Sequence, residues 1–152
     1  MNLIVDTSVV VKWFVDEDGF IDARKLLVPG LTRIAPELVI VETANVLQRK
    51  ARVGQLDDMQ AAVAVANTGR FFARLVPSID LVEPAFAMSR RLDHSVYDCM
   101  FLTLALSEPD GRLVTSDAKF ASKATAAGLG DRIWDLTVAG AALATLQENK
   151  HG

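Results

Sequence analysis

Residues 3–8, Leu-Ile-Val-Asp-Thr-Ser, place a carboxylate directly after a run of β-forming residues. We interpret residues 3–5 as a strand and Ser8 as the N-cap of the helix that follows, because serine favours that position. Asp6 then lies at the carboxyl end of a strand, which is the edge where ligands bind in open α/β sheets. Turn or capping chemistry is the alternative interpretation of Asp6, since Asp is common in both.

Length and composition favour one domain with a large core. The chain has 152 residues, of which 51% are hydrophobic, and this suits a sheet buried between helices. We expect a single domain over residues 1–152. The net charge of -3 provides no overall basic surface, so a contact with nucleic acid must be local. Cys99 is the only cysteine, which excludes an internal disulfide and cysteine-rich zinc sites.

Hydrophobic segments are short throughout the chain. No apolar run approaches the roughly 20 residues that a membrane span needs. The start of the chain has no basic region ahead of a long apolar core, because Asp6 interrupts the first apolar run. We therefore expect a soluble, cytoplasmic protein with no membrane partner.

Strand-like and helix-like patterns alternate along the rest of the chain. Apolar periodicity and turn residues predict further strands at 33–35, 75–77, 112–115 and 133–134, and helices at 20–28, 37–51, 57–66, 84–92, around 98–106, 118–127 and 138–147. Pro36 is expected in the first turn of a helix, where its missing N–H has no cost. This alternation predicts an α/β fold with three α/β/α layers and a central, mostly parallel sheet.

Three other acidic residues occupy positions comparable with that of Asp6. Asp117 follows the strand predicted at 112–115, as Asp6 follows the first strand. Glu42 shares a helix face with apolar residues three and four positions away, so it points inward. Asp98 lies in a segment that is apolar nearly all round, and we expect it to be buried. Helix capping by Asp117, and snorkelling or pairing with a basic residue by Glu42, are the alternatives.

A buried carboxylate needs compensation, because its desolvation costs several kcal/mol, roughly the net stability of a domain. No Lys or Arg lies one turn from Asp98 on its own helix, although a basic residue from elsewhere is an alternative. A shared proton is insufficient for four converging acids. A hard divalent cation, Mg²⁺ or Mn²⁺, is therefore the simplest partner. Zinc is disfavoured, because only His94 and His151 offer ring nitrogens.

Four motifs together resemble the acidic motifs of the PIN domain. They are residues 4–8 (IVDTS), 41–47 (VETANVL), 97–99 (YDC) with Leu102 and Ala105, and 115–120 (TSDAKF). Their order and spacing are most similar to those of VapC-type toxin ribonucleases, and the resemblance runs from residue 3 to about residue 135.

The resemblance implies an activity, a cofactor and partners. It implies a metal-dependent endoribonuclease that acts as the toxin of a type II toxin–antitoxin pair, is held inactive by a cognate antitoxin, and pairs with a second copy. It further implies that Asp6, Asp98 and Asp117 bind one or two Mg²⁺ or Mn²⁺ ions, while Glu42 ligates or orients the water. Products with a 5′-phosphate and a 3′-hydroxyl are then expected.

Residues around these motifs have candidate supporting roles. Hydroxyls near the acids are expected to bond the carboxylates or to cap helices: Thr7, Ser8, Thr115 and Ser116. Basic residues are expected either to form a rim for RNA or to be a solvated surface: Lys12, Arg49, Lys50, Arg52, Lys119 and Lys123. Four aromatic residues are expected in the core or against a partner, with base stacking as the alternative: Trp13, Phe14, Phe71 and Phe72.

Two other classes also place an Asp at a strand end or use converging acids. A haloacid-type phosphotransferase usually has a second Asp two residues after the first, where this chain has Ser8. A phospho-accepting receiver normally has a Lys after a late strand, where this chain has residues 115–117, Thr-Ser-Asp. A non-catalytic binding module is the remaining alternative, and it holds if the acids do not converge.

Overall fold

A computed structural model describes the backbone of residues 1–151 and the side chains of residues 1–149. Within these residues the strands are β1 (Asn2–Val5), β2 (Thr32–Pro36), β3 (Arg74–Val76), β4 (Gly111–Thr115) and β5 (Ile133–Asp135). The helices are α1 (Thr7–Val10), α2 (Phe20–Lys25), α3 (Leu38–Arg52), α4 (Asp58–Asn67), α5 (Val82–Leu92), α6 (Val96–Ser107), α7 (Ala118–Ala126) and α8 (Leu136–His151). Short 3₁₀ turns cover Val11–Trp13, Thr68–Phe71, Ser78–Leu81 and Gly130–Arg132.

The strands form one sheet in the order β3-β2-β1-β4-β5, and every neighbouring pair is parallel. The chain steps from β1 through β2 to β3 in one direction and then crosses back to β4 and β5. Because parallel crossovers are right-handed, this reversal places helices on both faces of the sheet. The α/β/α prediction is confirmed, and the sheet is parallel throughout rather than mostly parallel.

The centre of the sheet is the centre of the core. The apolar residues 3–5 of β1 and residues 113–114 of β4 are fully buried, as expected for parallel strands covered on both faces. Helix α6 packs across β1, β2 and β4, and every residue from Cys99 to Ala105 is buried. The predicted continuous apolar helix is therefore the central helix of one layer.

Two local predictions are wrong. Helix α1 begins at Thr7 with Asp6 as its N-cap, because the Asp6 carbonyl accepts from the Val9 and Val10 amides, so Ser8 is not the cap. Pro36 is the last residue of β2 rather than the first turn of α3. The ladder between β1 and β2 ends at Ile34, so no donor is required from Pro36 on that side.

Among the described residues, the structure contains no helix with both the length and the apolar character needed to cross a bilayer. The longest helix, α8, has 16 residues.

The close approach of α6 to β4 predicts that Gly111→Ala destabilises the fold. A Cβ at residue 111 would collide with the backbone carbonyl oxygen of Ala105, which cannot move without disturbing the end of α6. We expect a loss of about 1–3 kcal/mol in the free energy of unfolding, the range for overpacking, measured by urea denaturation. Gly69→Ala is the matched control, since its Cβ would meet only the Ile40 and Leu75 methyl groups at 3.6 and 3.7 Å. Equal stability of the two variants contradicts the prediction.

Candidate active site

Two acids are brought together by neighbouring parallel strands. Val5 and Val114 are partners in the β1–β4 register, and the Asp6 amide extends the ladder by donating to the Val114 carbonyl at 3.0 Å. Asp6 and Asp117 follow these strands by one and two residues, so they lie at the same carboxyl edge of the sheet. Sequence patterns alone located both residues correctly.

All four predicted acids line one cavity. Asp6, Glu42, Asp98 and Asp117 surround a space of about 320 Å³, together with Lys12, Glu17 and Lys50. Helix α3 contributes Glu42 and the first turn of α6 contributes Asp98. The acids therefore converge, as the metal hypothesis requires, although they are separated by up to 111 positions in the sequence.

Asp6 is the most buried of the four acids. Its exposed fraction is 4%, and its Oδ2 accepts hydrogen bonds from Thr115 Oγ1 at 2.7 Å and Ser8 Oγ at 3.0 Å. Burial raises the pKa of Asp6 to about 6, and the charge of Asp98 acts in the same direction, while the hydroxyl bonds oppose the rise. The ionised form of Asp6 is therefore less favourable in this pocket than in water, and a nearby positive charge would stabilise it.

Glu42 is half-buried on α3 and faces the same cavity. Thr7 Oγ1 donates to Glu42 Oε1 at 2.8 Å. Burial raises the pKa of Glu42, and the charges of Asp6 and Asp98 raise it further. The predicted hydroxyl support is confirmed for Thr7, Ser8 and Thr115, whereas Ser116 contributes its backbone N–H, which donates to Ser8 Oγ at 3.2 Å.

Asp98 is not buried, contrary to the expectation from its apolar helix. Its side chain is 26% exposed, because it lies in the first turn of α6, before the buried stretch begins at Cys99. Its neighbour is His94, whose Nε2 lies 2.6 Å from Asp98 Oδ2. The acid that most needs compensation is thus Asp6, and Asp98 has a hydrogen-bond donor from the preceding turn.

His94 was considered from the sequence only as an unlikely zinc ligand, yet it connects two of the acids. Its ring stacks on Phe120 with a centroid distance of 4.4 Å and an interplanar angle of 8°, and its Nε2 is 4.0 Å from Asp117 Oδ2. The available signal was its position four residues before Asp98, which places the two side chains one turn apart. The side chain of His151 lies outside the described residues.

Asp117 caps a helix and also belongs to the acidic cluster. Its Oδ1 accepts from the Phe120 amide at 3.0 Å, so it caps α7, and the capping interpretation is confirmed. Its other oxygen remains on the side of His94. One ligand atom from each of His94, Asp98 and Asp117 lies within 4.8 Å of the other two. Capping and membership of the acidic cluster are therefore compatible.

The donor set fits a hard divalent cation. Four carboxylates supply oxygen atoms, which Mg²⁺ and Mn²⁺ prefer. Burial and the charge of Asp98 raise the pKa of Asp6, and a bound cation would act in the opposite direction. A bound cation would favour the ionised form of each acid and remove their mutual repulsion.

The basic residues closest to the acids are already paired. Glu17 accepts from Lys12 Nζ at 3.0 Å and from Lys50 Nζ at 2.6 Å. Burial would raise the pKa of Glu17, but the hydrogen bonds from Lys50 and Lys12 outweigh it, and the pKa is lowered. Arg49 and Arg52 are exposed, and Arg52 lines a separate cleft between α3 and α4. The predicted rim is therefore not continuous on this side.

The four aromatic residues belong to the core, as expected. Trp13 and Phe72 are buried, and Phe14 and Phe71 pack against the same cluster. The Trp13 ring lies 5.4 Å from that of Phe71 and 5.8 Å from that of Phe72. Trp13 Nε1 donates to the Ala23 carbonyl at 2.9 Å. These rings pack in the core or against it and do not provide a surface for bases.

Comparison with known proteins agrees with this geometry. The PIN domain family model matches residues 3–126, a segment that includes all four acids. The chain is 30% identical over 125 residues to Ribonuclease VapC3 of Pyrobaculum aerophilum, which covers 81% of this chain and 95% of that protein. The crystal structure of PAE2754 from the same organism has a similar fold, with a TM-score of 0.68, 20% identity and coverage of 95% and 96% of the two chains. The resemblance expected from the motifs is thus confirmed, and the chain belongs to the PIN domain family.

Proposed function

We propose that residues 1–152 form a single nuclease domain, a metal-dependent endoribonuclease that acts as the toxin of a type II toxin–antitoxin system. The observation that carries this proposal is the convergence of Asp6, Glu42, Asp98 and Asp117 on one cavity in a chain of the PIN domain family. The relative named Ribonuclease VapC3 supports RNA as the substrate. A phosphotransfer domain or a non-catalytic module has no comparable observation in its favour.

The chain's own residues would prepare the site for a cation and for RNA. Asp6, Asp98 and Asp117 would hold Mg²⁺ or Mn²⁺, and Glu42 would complete the donor set or orient a water. When bound, such an ion would lower the pKa of water and stabilise negative charge on the phosphodiester oxygens. Thr115 and Ser8 fix one oxygen of Asp6, and Thr7 fixes Glu42. In-line attack would then leave a 5′-phosphate and a 3′-hydroxyl.

The toxin role implies protein partners. A cognate antitoxin and a second copy of the chain are the partners that a VapC-type protein would have, and the VapC name of the relative supports the antitoxin. Helix α3, the residue that follows it and helix α4 expose several large apolar side chains that are available for such contacts, namely Val41, Val53, Met59 and Val63.

The proposed chemistry predicts that Asp98→Asn loses cleavage of RNA while the chain stays folded. The amide keeps the size of the side chain but removes the negative charge that would hold the cation, and we expect a loss of at least about 100-fold in rate. Cleavage of an end-labelled RNA with Mg²⁺ or Mn²⁺, followed on gels, measures the effect. Asp131→Asn, at an exposed acid outside the cavity, is the matched control and retains activity. Undiminished cleavage by Asp98→Asn, or by the wild type in excess chelator, rejects the proposal.

The burial of Asp6 predicts a pH-dependent stability in chelator. Because its pKa is raised from 3.8 to about 6, the folded chain binds this proton more tightly than the unfolded chain does. The free energy of unfolding therefore falls as pH rises from about 4 to about 6, by about 3 kcal/mol for such a shift. Asp6→Asn lacks this contribution, since an amide does not ionise. Urea unfolding of both proteins across this range measures the difference.

The amide variant is a suitable reference because both hydroxyl donors bond the same oxygen of Asp6, and an amide oxygen in that position accepts the same two bonds. At neutral pH, saturating Mn²⁺ is expected to restore stability to the wild type and not to Asp6→Asn. A stability difference between the two proteins that does not change with pH contradicts this prediction.

The contact between His94 and Asp98 predicts that His94 positions the carboxylate for the cation. His94→Phe keeps a ring against Phe120 but removes the Nε2 donor to Asp98. We expect the affinity for Mn²⁺, measured by calorimetry, to fall about tenfold or more, as for other residues that orient a ligand. His94→Gln, whose amide can donate, is expected to recover part of it. Equal Mn²⁺ affinities in all three proteins would limit His94 to a packing role.

A further inference from the structure

A second polar cavity adjoins the acidic one. It has a volume of about 660 Å³, and its charged lining consists of Arg90 from α5, Lys119 and Lys123 from α7, and Asp93 from the loop between α5 and α6. Three cations and one carboxylate give this lining a formal charge of +2, opposite in sign to the neighbouring cluster of acids.

The cations of this cavity are not neutralised by the protein. Within residues 1–149, the side chains of Arg90 and Lys119 have neither an ion pair nor a hydrogen bond to another residue, and both are exposed. Lys123 donates only to the backbone carbonyl of Asp93. By contrast, Lys12 and Lys50 share Glu17. The positive charge near the acids is therefore available to an external anion on the α5–α7 side and is already paired on the α3 side.

One imidazole ring separates the two cavities. His94 lines the basic cavity, while its Nε2 contacts Asp98 at 2.6 Å and lies 4.0 Å from Asp117. Lys119 follows Asp117 by two residues in the same helix start. A polyanion held over the acids would therefore lie next to the basic cavity, with one side chain between the two.

We propose that this cavity, lined by Arg90, Lys119 and Lys123, binds a backbone phosphate of the RNA next to the scissile one. This inference rests on the proposed function and adds to it the side from which the strand crosses the site. One guanidinium and two ammonium groups can donate charge-assisted hydrogen bonds to the oxygens of a phosphate. Such contacts are to the RNA backbone rather than to the bases. The cavity thus contributes affinity and register without sequence selectivity. It also offsets the repulsion between RNA and the acidic cluster.

The test compares RNA cleavage by the wild type and by the double variant Arg90→Gln/Lys119→Gln. We expect KM to rise about tenfold or more, the effect of losing charge-assisted hydrogen bonds, while kcat stays within about twofold. The slope of log affinity against log salt should decrease by about 0.7 for one lost phosphate contact on a single strand. Arg70→Gln is the matched control: it removes one unpaired, exposed cation that precedes the amino end of β3. Its KM and salt slope are expected to be those of the wild type.

A set of RNAs with one neutral methylphosphonate linkage locates the contact. We expect a neutral linkage next to the cleaved bond to lower the RNA affinity of the wild type about tenfold. The RNA affinity of the double variant should not change, since the neutral linkage and the two substitutions remove the same interaction. If the wild type loses nothing at any flanking linkage, or if the double variant keeps the wild-type KM, the cavity does not bind the RNA backbone.

Failure of this inference is distinguishable from failure of the proposed function. If the wild type does not cut RNA with either metal ion, the nuclease proposal fails, and fluorescence anisotropy of the uncut RNA then tests the cavity by binding alone. Unchanged RNA binding by the double variant in that assay overturns the inference. Unchanged RNA binding together with lost binding of a Glu-rich peptide overturns it too, and assigns the cavity to an acidic protein segment.

Discussion

The carboxylate of Asp6 is buried where β1 and β4 meet, and the organisation of the site depends on how that charge is tolerated. The strand register fixes its position, because the Asp6 amide continues the ladder to Val114. Thr115, the last residue of β4, donates to it across the same strand pair. Three other acids then approach the buried one from helices on both sides of the sheet. A fold that places a poorly solvated charge at its centre is prepared to accept a cation there.

The four acids are held in place by different kinds of protein group. Hydroxyl groups hold Asp6 and Glu42, an imidazole contacts Asp98, and the helix backbone holds Asp117. Because each carboxylate has one oxygen engaged by the protein, its orientation is set before any ion arrives, which is the usual role of residues around metal ligands. The two lysines that line the acidic cavity, Lys12 and Lys50, are both paired with Glu17.

Sequence patterns were sufficient for the parts of the structure that follow from local periodicity. The strand at the start, the inward face of α3 and the acids after β1 and β4 were all predicted, because spacing along an element determines which side chains share a face. Sequence patterns gave wrong predictions where the structure depends on contacts with other elements of the fold. Asp98 lies on an apolar helix but at its exposed first turn, and Pro36 lies in a strand because it pairs with Val76 of β3. For His94 the spacing to Asp98 was a local signal, but its stacking on Phe120 and its approach to Asp117 depend on residues distant in the sequence.

The dual engagement of Asp117 has an evolutionary consequence. One oxygen begins a helix while the other belongs to the acidic cluster, so truncating this side chain would weaken the architecture along with the chemistry. An amide would preserve the helix start, because Asn is as good an N-cap as Asp. A chain that keeps its fold but loses the Asp117 charge is thus more accessible through Asp-to-Asn exchange than through loss of the side chain. Under the proposed role of Asp117, a folded but inactive chain lies one nucleotide substitution away, since Asp and Asn codons differ only in their first base.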